Sequence, residues 1–293
     1  MTNRFGFGDF QYEAVPGWGQ STTMGVVSDV ATDSQDRVYL AVRNAPHPGT
    51  DGGAITVLDR DGKLLDSWGQ DLFTTPHGIW IGPEDEVFMA DSNDHTVRKY
   101  TTSGELRLTL GTQGETGEPG APFNRPTRAA LSKSGDLFVS DGYGQDRVHK
   151  FTGDGDLIIS FGEPGKGPGL LNLPHDVTVG DDDRVYVLDR ENRRCQVFDL
   201  EGGYITEFEG LRSPNDMVID DAGFFHVVEG WHQEIASVCV MSPDGKIIGR
   251  WGGRGEGPGY FAGAPHGLWI DSHGDIYVAE VAAEEAIHKF ARV

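Results

Sequence analysis

The chain has 293 residues, 42 of them glycine, and a formal net charge of −22 at pH 7. That charge argues against nucleic acid as a partner, because such binding rests on phosphate neutralisation by Lys and Arg. No apolar run approaches the roughly 20 residues needed to cross a bilayer, and the opening MTNRFGFGDF lacks the apolar segment of a signal peptide, so a soluble cytoplasmic protein with no membrane association is expected. The two cysteines, Cys195 and Cys239, sit in strand-like runs of neighbouring repeats and read as buried, inert thiols rather than a disulfide framework.

An N-terminal segment, FQYEAVPGWG, precedes six stretches built on one plan. Each has an apolar strand, a turn rich in Asp, Gly or Ser, a strand with a mostly acidic end, a third strand, and an ending in an aromatic or Leu plus Gly, as in DSWG, LTLG, ISFG and GRWG. The stretches open near Ser28, His77, Thr127, His175, Asn215 and His266, spaced by 49, 50, 48, 40 and 51 residues. Several short strands per unit at that period predict an all-β, six-bladed β-propeller forming a single domain over residues 1–293. The last stretch stops at HKFARV, one strand short, so the N-terminal segment is expected to pair with it, Trp18-Gly19 supplying the missing ending. The linkers GEPGKGPG and GRGEGPG lead into no helix and read as turns rather than phosphate loops.

Two columns of equivalent residues should line one mouth of the central channel. The first reads Ser28, His77, Thr127, His175, Asn215, His266. One histidine there would be a turn residue bonded to backbone. Three on alternate blades point to a facial three-nitrogen metal site with an open position, zinc ahead of other imidazole-binding ions. The remaining histidines, including His95 and His232, fall outside the column and read as structural. The second column reads Val42, Asp91, Asp141, Asp189, Glu229, Glu280, a repeated acid suited to accepting backbone hydrogen bonds at a tight corner. Asymmetry follows the acids: Arg43 and Arg190 occupy equivalent places in blades 1 and 4, against Ser92, Gly142, Gly230 and Val281 elsewhere. One position later Tyr143 is the only phenol, its counterparts being Asn44, Asn93, Glu191, Trp231 and Ala282. Each arginine could equally pair with a neighbouring acid.

The stretches PHGIWI, VSDGYGQDRV, NLPHDVTV, VLDREN and APHGLWI resemble the peptidyl-α-hydroxyglycine α-amidating lyase family of NHL-type six-bladed propellers, and the similarity runs through nearly the whole chain. The resemblance implies zinc held by His77, His175 and His266, with Tyr143 as general base and Arg43 and Arg190 as active-site arginines. Two positions depart from the family's pattern. Its cysteine after the catalytic tyrosine is Gly144 here, in keeping with a reducing compartment, and its structural-calcium aspartate after the third histidine is Gly267, which speaks against structural calcium. No copper-dependent hydroxylating domain precedes the propeller, so an amidated peptide hormone is not the expected product.

The expected activity is cleavage of the C–N bond of an N-acyl or N-carbamoyl α-hydroxy acid, giving an amide and an α-oxo acid such as glyoxylate. Its partner is then a small, carboxylate-bearing substrate. A propeller lactonase or other hydrolase is the alternative enzyme, although such propellers usually hold calcium through oxygen ligands and three imidazoles do not suit that ion. A non-catalytic NHL interaction module is the third reading, and it gives no reason for three histidines and two arginines to converge.

Overall fold

The computed structural model describes residues 3–19, 25–43, 53–231, 235–283 and 287–293; Asn44 and His232 lie outside them. The fold is the expected all-β, six-bladed propeller: the described residues form six antiparallel sheets and one short 3-10 helix, Arg190–Asn192. No helix among them is long and apolar enough to cross a membrane. Contacts group the chain into two compact units, Phe73–Pro214 and Met1–Leu72 together with Asn215–Val293.

Within Phe73–Pro214 each blade is a four-stranded meander, blade 3 running Arg128–Leu131, Leu137–Asp141, Arg147–Phe151 and Leu157–Phe161. Its second strand is buried along its whole length, whereas its fourth is exposed or half-buried throughout. This gradient explains why the second strands VFMAD, LFVSD and VYVLD carry apolar residues on both faces. Phe88, Val97, Phe123, Val139 and Phe151 fill one core cluster; Phe138, Val148, Leu171, Val187 and Phe198 fill another. The hairpin turns use the small polar residues seen in the sequence: in blade 3 the Ser132 hydroxyl accepts the Asp136 N–H at 3.1 Å, and Gly135 takes φ of 87°.

In the other unit the last blade, Ala264–Ile270, Ile276–Val281 and Ile287–Arg292, is completed from the N-terminus. Phe10–Ala14 pairs antiparallel with Ile287–Arg292 in the register Tyr12↔Arg292 and Ala14↔Phe290. A further strand, Arg4–Phe7, folds back on it through the Gly8-Asp9 turn and makes this sheet five-stranded. Gly6 is required there, since a Cβ on it would lie 1.9 Å from the Phe10 carbonyl oxygen. The expected ending at Trp18-Gly19 is corrected: the pair lies in the turn after the strand, and Trp18 packs its ring against Tyr277 while its Nε1–H donates to the Arg60 carbonyl at 2.9 Å. From that turn the indole packs on an aromatic neighbour while its N–H finds a backbone acceptor, as a buried indole requires.

Both cysteines are free and buried, and burial pushes the Cys195 thiol well above its ordinary range. The two Gly/Pro-rich linkers form irregular loops closed by single parallel bridges, Pro164↔Leu171 and Arg254↔Phe261.

Candidate metal and acid–base site

The three column histidines occupy one backbone device. The first strand of blade 2 pairs Pro76 with Asp91 and then Gly78 with Ala90, which leaves His77 as the extra residue of a β-bulge. His175 and His266 are extra in the same way, between Pro174 and Asp176 and between Pro265 and Gly267. A bulge re-aims the side chain it carries. In each blade it turns an imidazole out of the alternation that would place it on a blade face.

Hydrogen bonding then fixes the rings. His77 Nδ1 is 2.8 Å from the carbonyl oxygen of Thr127, and His266 Nδ1 is 2.7 Å from that of Ser28. A carbonyl only accepts, so both Nδ1 atoms carry the proton, and in the neutral rings each Nε2 presents a lone pair. The close backbone approach explains the glycine after each of these histidines. A Cβ on Gly78 would meet the Thr127 oxygen at 2.3 Å, and one on Gly267 would meet Asp29 Oδ1 at 2.4 Å. Thr127 and Asn215, column members without imidazoles, make the comparable reach to the next blade, to the carbonyls of Pro174 at 3.1 Å and Pro265 at 2.7 Å. The column therefore stitches blades together, and His77 and His266 do so through Nδ1.

Tyr143 follows the acid-capped end of the second strand of blade 3. Its hydroxyl is 3.0 Å from His77 Nε2 and 3.0 Å from His175 Nε2. The two imidazole centroids are 4.9 Å apart and steeply inclined. Gly142 lets the phenol in, because a Cβ there would lie 2.1 Å from the Pro174 carbonyl oxygen. Gly144 leaves no room for a side chain, since a Cβ would sit 2.3 Å from the Asn124 amide carbon.

Arg190 opens the 3-10 helix, is 4% exposed, and brings its guanidinium carbon to 5.8 Å from the Tyr143 ring centroid. Its Nε also donates to Glu191 Oε1 at 3.1 Å, so a neighbouring acid holds one edge of the fork. Arg43 ends the second strand of blade 1, half-buried and paired with Val26. The sequence did not single out Arg125, whose guanidinium carbon is 5.0 Å from the Tyr143 centroid. It lies in the linker ahead of blade 3, outside both repeat columns, and its only signal is a basic residue just before Pro126.

The repeated acids are structural. Asp91 accepts from the backbone of Thr74 and Thr75, Asp141 from Asn124, Asp189 from Asn172 and Glu280 from Gly263. Glu229 instead pairs with Arg250 and Ser237. Burial raises the Asp91 carboxyl above its usual range despite three backbone N–H partners. Two other histidines serve this column: His149 Nε2 lies 3.2 Å from Asp141, and His288 Nε2 lies 2.5 Å from Glu280.

Among the described residues, the potential ligand nitrogens of His77, His175 and His266 lie within 4.8 Å of one another, and the three side chains are 3%, 2% and 3% exposed. Buried imidazoles, two of them oriented by carbonyls behind them, are a donor set that fits a divalent ion such as zinc. The set offers no oxygen ligand of the kind calcium prefers.

Residues 171–198 match the NHL repeat. The chain is 32% identical over 281 residues to human NHL repeat-containing protein 3, covering 89% of this chain and 78% of that protein. It is 30% identical over 278 residues to peptidyl-alpha-hydroxyglycine alpha-amidating lyase 2 of Drosophila melanogaster, covering 89% of this chain and 65% of the relative. A solved gluconolactonase from Xanthomonas campestris superposes with a TM-score of 0.67 at 13% identity over 99% of this chain and 95% of that one, a likeness of fold alone. With this degree of identity along most of its length, the chain belongs to the family of NHL-repeat propellers that includes NHL repeat-containing protein 3 and the peptidyl-α-hydroxyglycine α-amidating lyases.

Proposed function

We propose that the protein is a metal-dependent lyase that splits an N-acyl or N-carbamoyl α-hydroxy acid into an amide and an α-oxo acid such as glyoxylate. The observation that carries this reading is the Tyr143 hydroxyl, held 3.0 Å from the Nε2 atoms of two bulge-borne histidines. A phenol so placed is within reach of a substrate hydroxyl presented to those imidazoles, which is the first requirement of a general base. His77, His175 and His266 would hold the ion. When bound, it supplies Lewis acidity that favours the ionised form of an oxygen beside it.

The phenolate of Tyr143 takes the proton of the substrate hydroxyl and returns it to the departing nitrogen. The oxygen's electron pair then forms the C=O bond of the α-oxo acid, the C–N bond breaks, and the departing amide nitrogen takes up a proton. No water is consumed, which separates this reaction from the hydrolysis a lactonase would perform. Arg43 and Arg190 hold the substrate carboxylate through their planar forks. Arg190 is suited to this by burial beside the phenol, because a charge-assisted bond is stronger where water is excluded.

The test is protein purified without a histidine tag or chelator, analysed for metal and incubated with N-benzoyl-α-hydroxyglycine. About one zinc per chain and equal yields of benzamide and glyoxylate are expected. His175→Ala should lose most of the metal and all turnover while keeping the wild-type β-sheet circular dichroism. Wild-type metal content in that variant would remove His175 from the ligand set, and metal-replete wild-type protein without turnover would defeat the lyase reading.

A further inference from the structure

We propose that Arg125 is a specificity residue which reads a second anionic group on the substrate, at the amide end, so that the preferred substrates are dianions such as N-(carboxyacyl)-α-hydroxy acids. The proposal rests on the lyase reading for the identity of the reacting group, but not for the binding preference itself.

Arg125 is held in an expensive backbone conformation. Its φ is 70°, in the left-handed region that non-glycine residues seldom adopt. Two contacts maintain it: its N–H donates to His95 Nδ1 at 3.2 Å, and its carbonyl accepts the Tyr143 N–H at 3.4 Å. Strain maintained by surrounding contacts is a reason to ask what the side chain does. Here it carries the guanidinium over the phenol ring at 5.0 Å while leaving the residue exposed.

Charge sharpens the point. In a chain with 46 acids and 24 Lys plus Arg, cations usually find carboxylates, as Arg98 does with Asp94, Arg194 with Asp189 and Glu207, and Arg250 with Glu229. Arg125 has no ion pair among the described residues; it lies against the phenol ring and makes the two backbone bonds. A solvent-accessible guanidinium against the Tyr143 ring and without a carboxylate partner offers a planar fork to an incoming anion. With Arg43 and Arg190 assigned by the proposed function to the carboxylate beside the reacting carbon, Arg125 is left for an anionic group on the other side of the scissile bond.

Unreactive glycine derivatives test the binding claim without chemistry. N-succinylglycine carries a distal carboxylate, and N-(4-methylpentanoyl)glycine has the same shape without the charge. Calorimetry on the metal-replete protein should show the succinyl compound binding at least about tenfold more tightly, the lower range expected for a charge-assisted pair at a partly solvated site. Arg125→Gln should bring that ratio close to one. Equal affinities in the wild type, or a ratio that survives in Arg125→Gln, would overturn the proposal. Turnover of the corresponding α-hydroxyglycines separates the two claims: a charge preference in binding without turnover sustains the role of Arg125 and defeats the lyase reading, whereas turnover without a charge preference does the reverse.

Discussion

Tyr143→Phe separates the catalytic role of the phenol from its structural one. The change removes one oxygen, which lies 3.0 Å from each of two imidazoles, and leaves the ring. Arg125 and Arg190 approach that ring at 5.0 and 5.8 Å, and a benzyl ring retains the face both guanidiniums use, so the side chain should stay in place. The hydroxyl can make at most two hydrogen bonds to these rings, one donated and one accepted, and net bonds of this kind are worth about 0.5–1.5 kcal/mol each, so the structural loss is at most about 3 kcal/mol. A positioned acid–base group contributes roughly 10²–10⁴ in rate, or about 2.7–5.5 kcal/mol of barrier. The assay is release of glyoxylate from N-benzoyl-α-hydroxyglycine, run beside metal analysis and urea denaturation. Expected are wild-type metal content, a modest shift in the urea midpoint, and a kcat lowered by about 10²-fold or more with little change in KM. A Phe variant that turns over normally would leave Tyr143 as a pocket wall and refute the assignment.

Two further outcomes follow from particular contacts. Gly142→Ala would drive a methyl to 2.1 Å from the Pro174 carbonyl oxygen, backbone that cannot swing aside, so a cost of about 1–3 kcal/mol is expected in thermal melts, with a disproportionate loss of activity because His175 is the next residue; an Ala variant as stable and active as wild type would mean that the two segments do not abut. Asp275→Asn concerns a cluster in which burial alone would raise the carboxyl, but the Arg292 N–H, Lys289 and Arg60 outweigh it and hold the group below its ordinary range. Arg60 is partly exposed, so the loss should be about 2–3 kcal/mol at pH 7. Because the folded pKa is lowered, this stabilisation is complete above the unfolded aspartate value and is lost as pH falls through the folded one, so the urea midpoints of wild type and variant should converge below about pH 4; a gap independent of pH would remove Asp275 as the titrating group.

Repetition made much of the fold and half of the site readable. An isolated RVYVLD is an ambiguous apolar run, but its recurrence as EVFMAD and DIYVAE fixes strand, turn and register together. The same alignment isolated His77, His175 and His266 from the other histidines and Tyr143 from the other tyrosines. It did not reveal that each histidine is a bulge residue, because a bulge is a mismatch between two strands and neither strand records it alone. Arg125 was missed for a related reason: it stands in a linker with no counterpart to compare, and its position depends on His95 from the preceding blade. The second N-terminal strand was missed because RFGF is only four residues long with a glycine inside it, so that pairing, not propensity, makes it a strand.

Completing the last blade with the first strand also has a kinetic consequence. The partners Tyr12 and Arg292 are separated by nearly the whole sequence, so this ladder cannot begin until residues past 287 have been synthesised. Closing so long a loop is entropically slow, which makes it a natural late step of folding. Until then Phe10 and Tyr12, made before the six blades, have no strand to join, and the edge of Ile276–Val281 awaits a neighbour. Nascent chains are therefore expected to depend on protection of these apolar surfaces while the propeller is being synthesised, and a chain lacking residues 1–14 should self-associate through the unpaired edge of Ile287–Arg292.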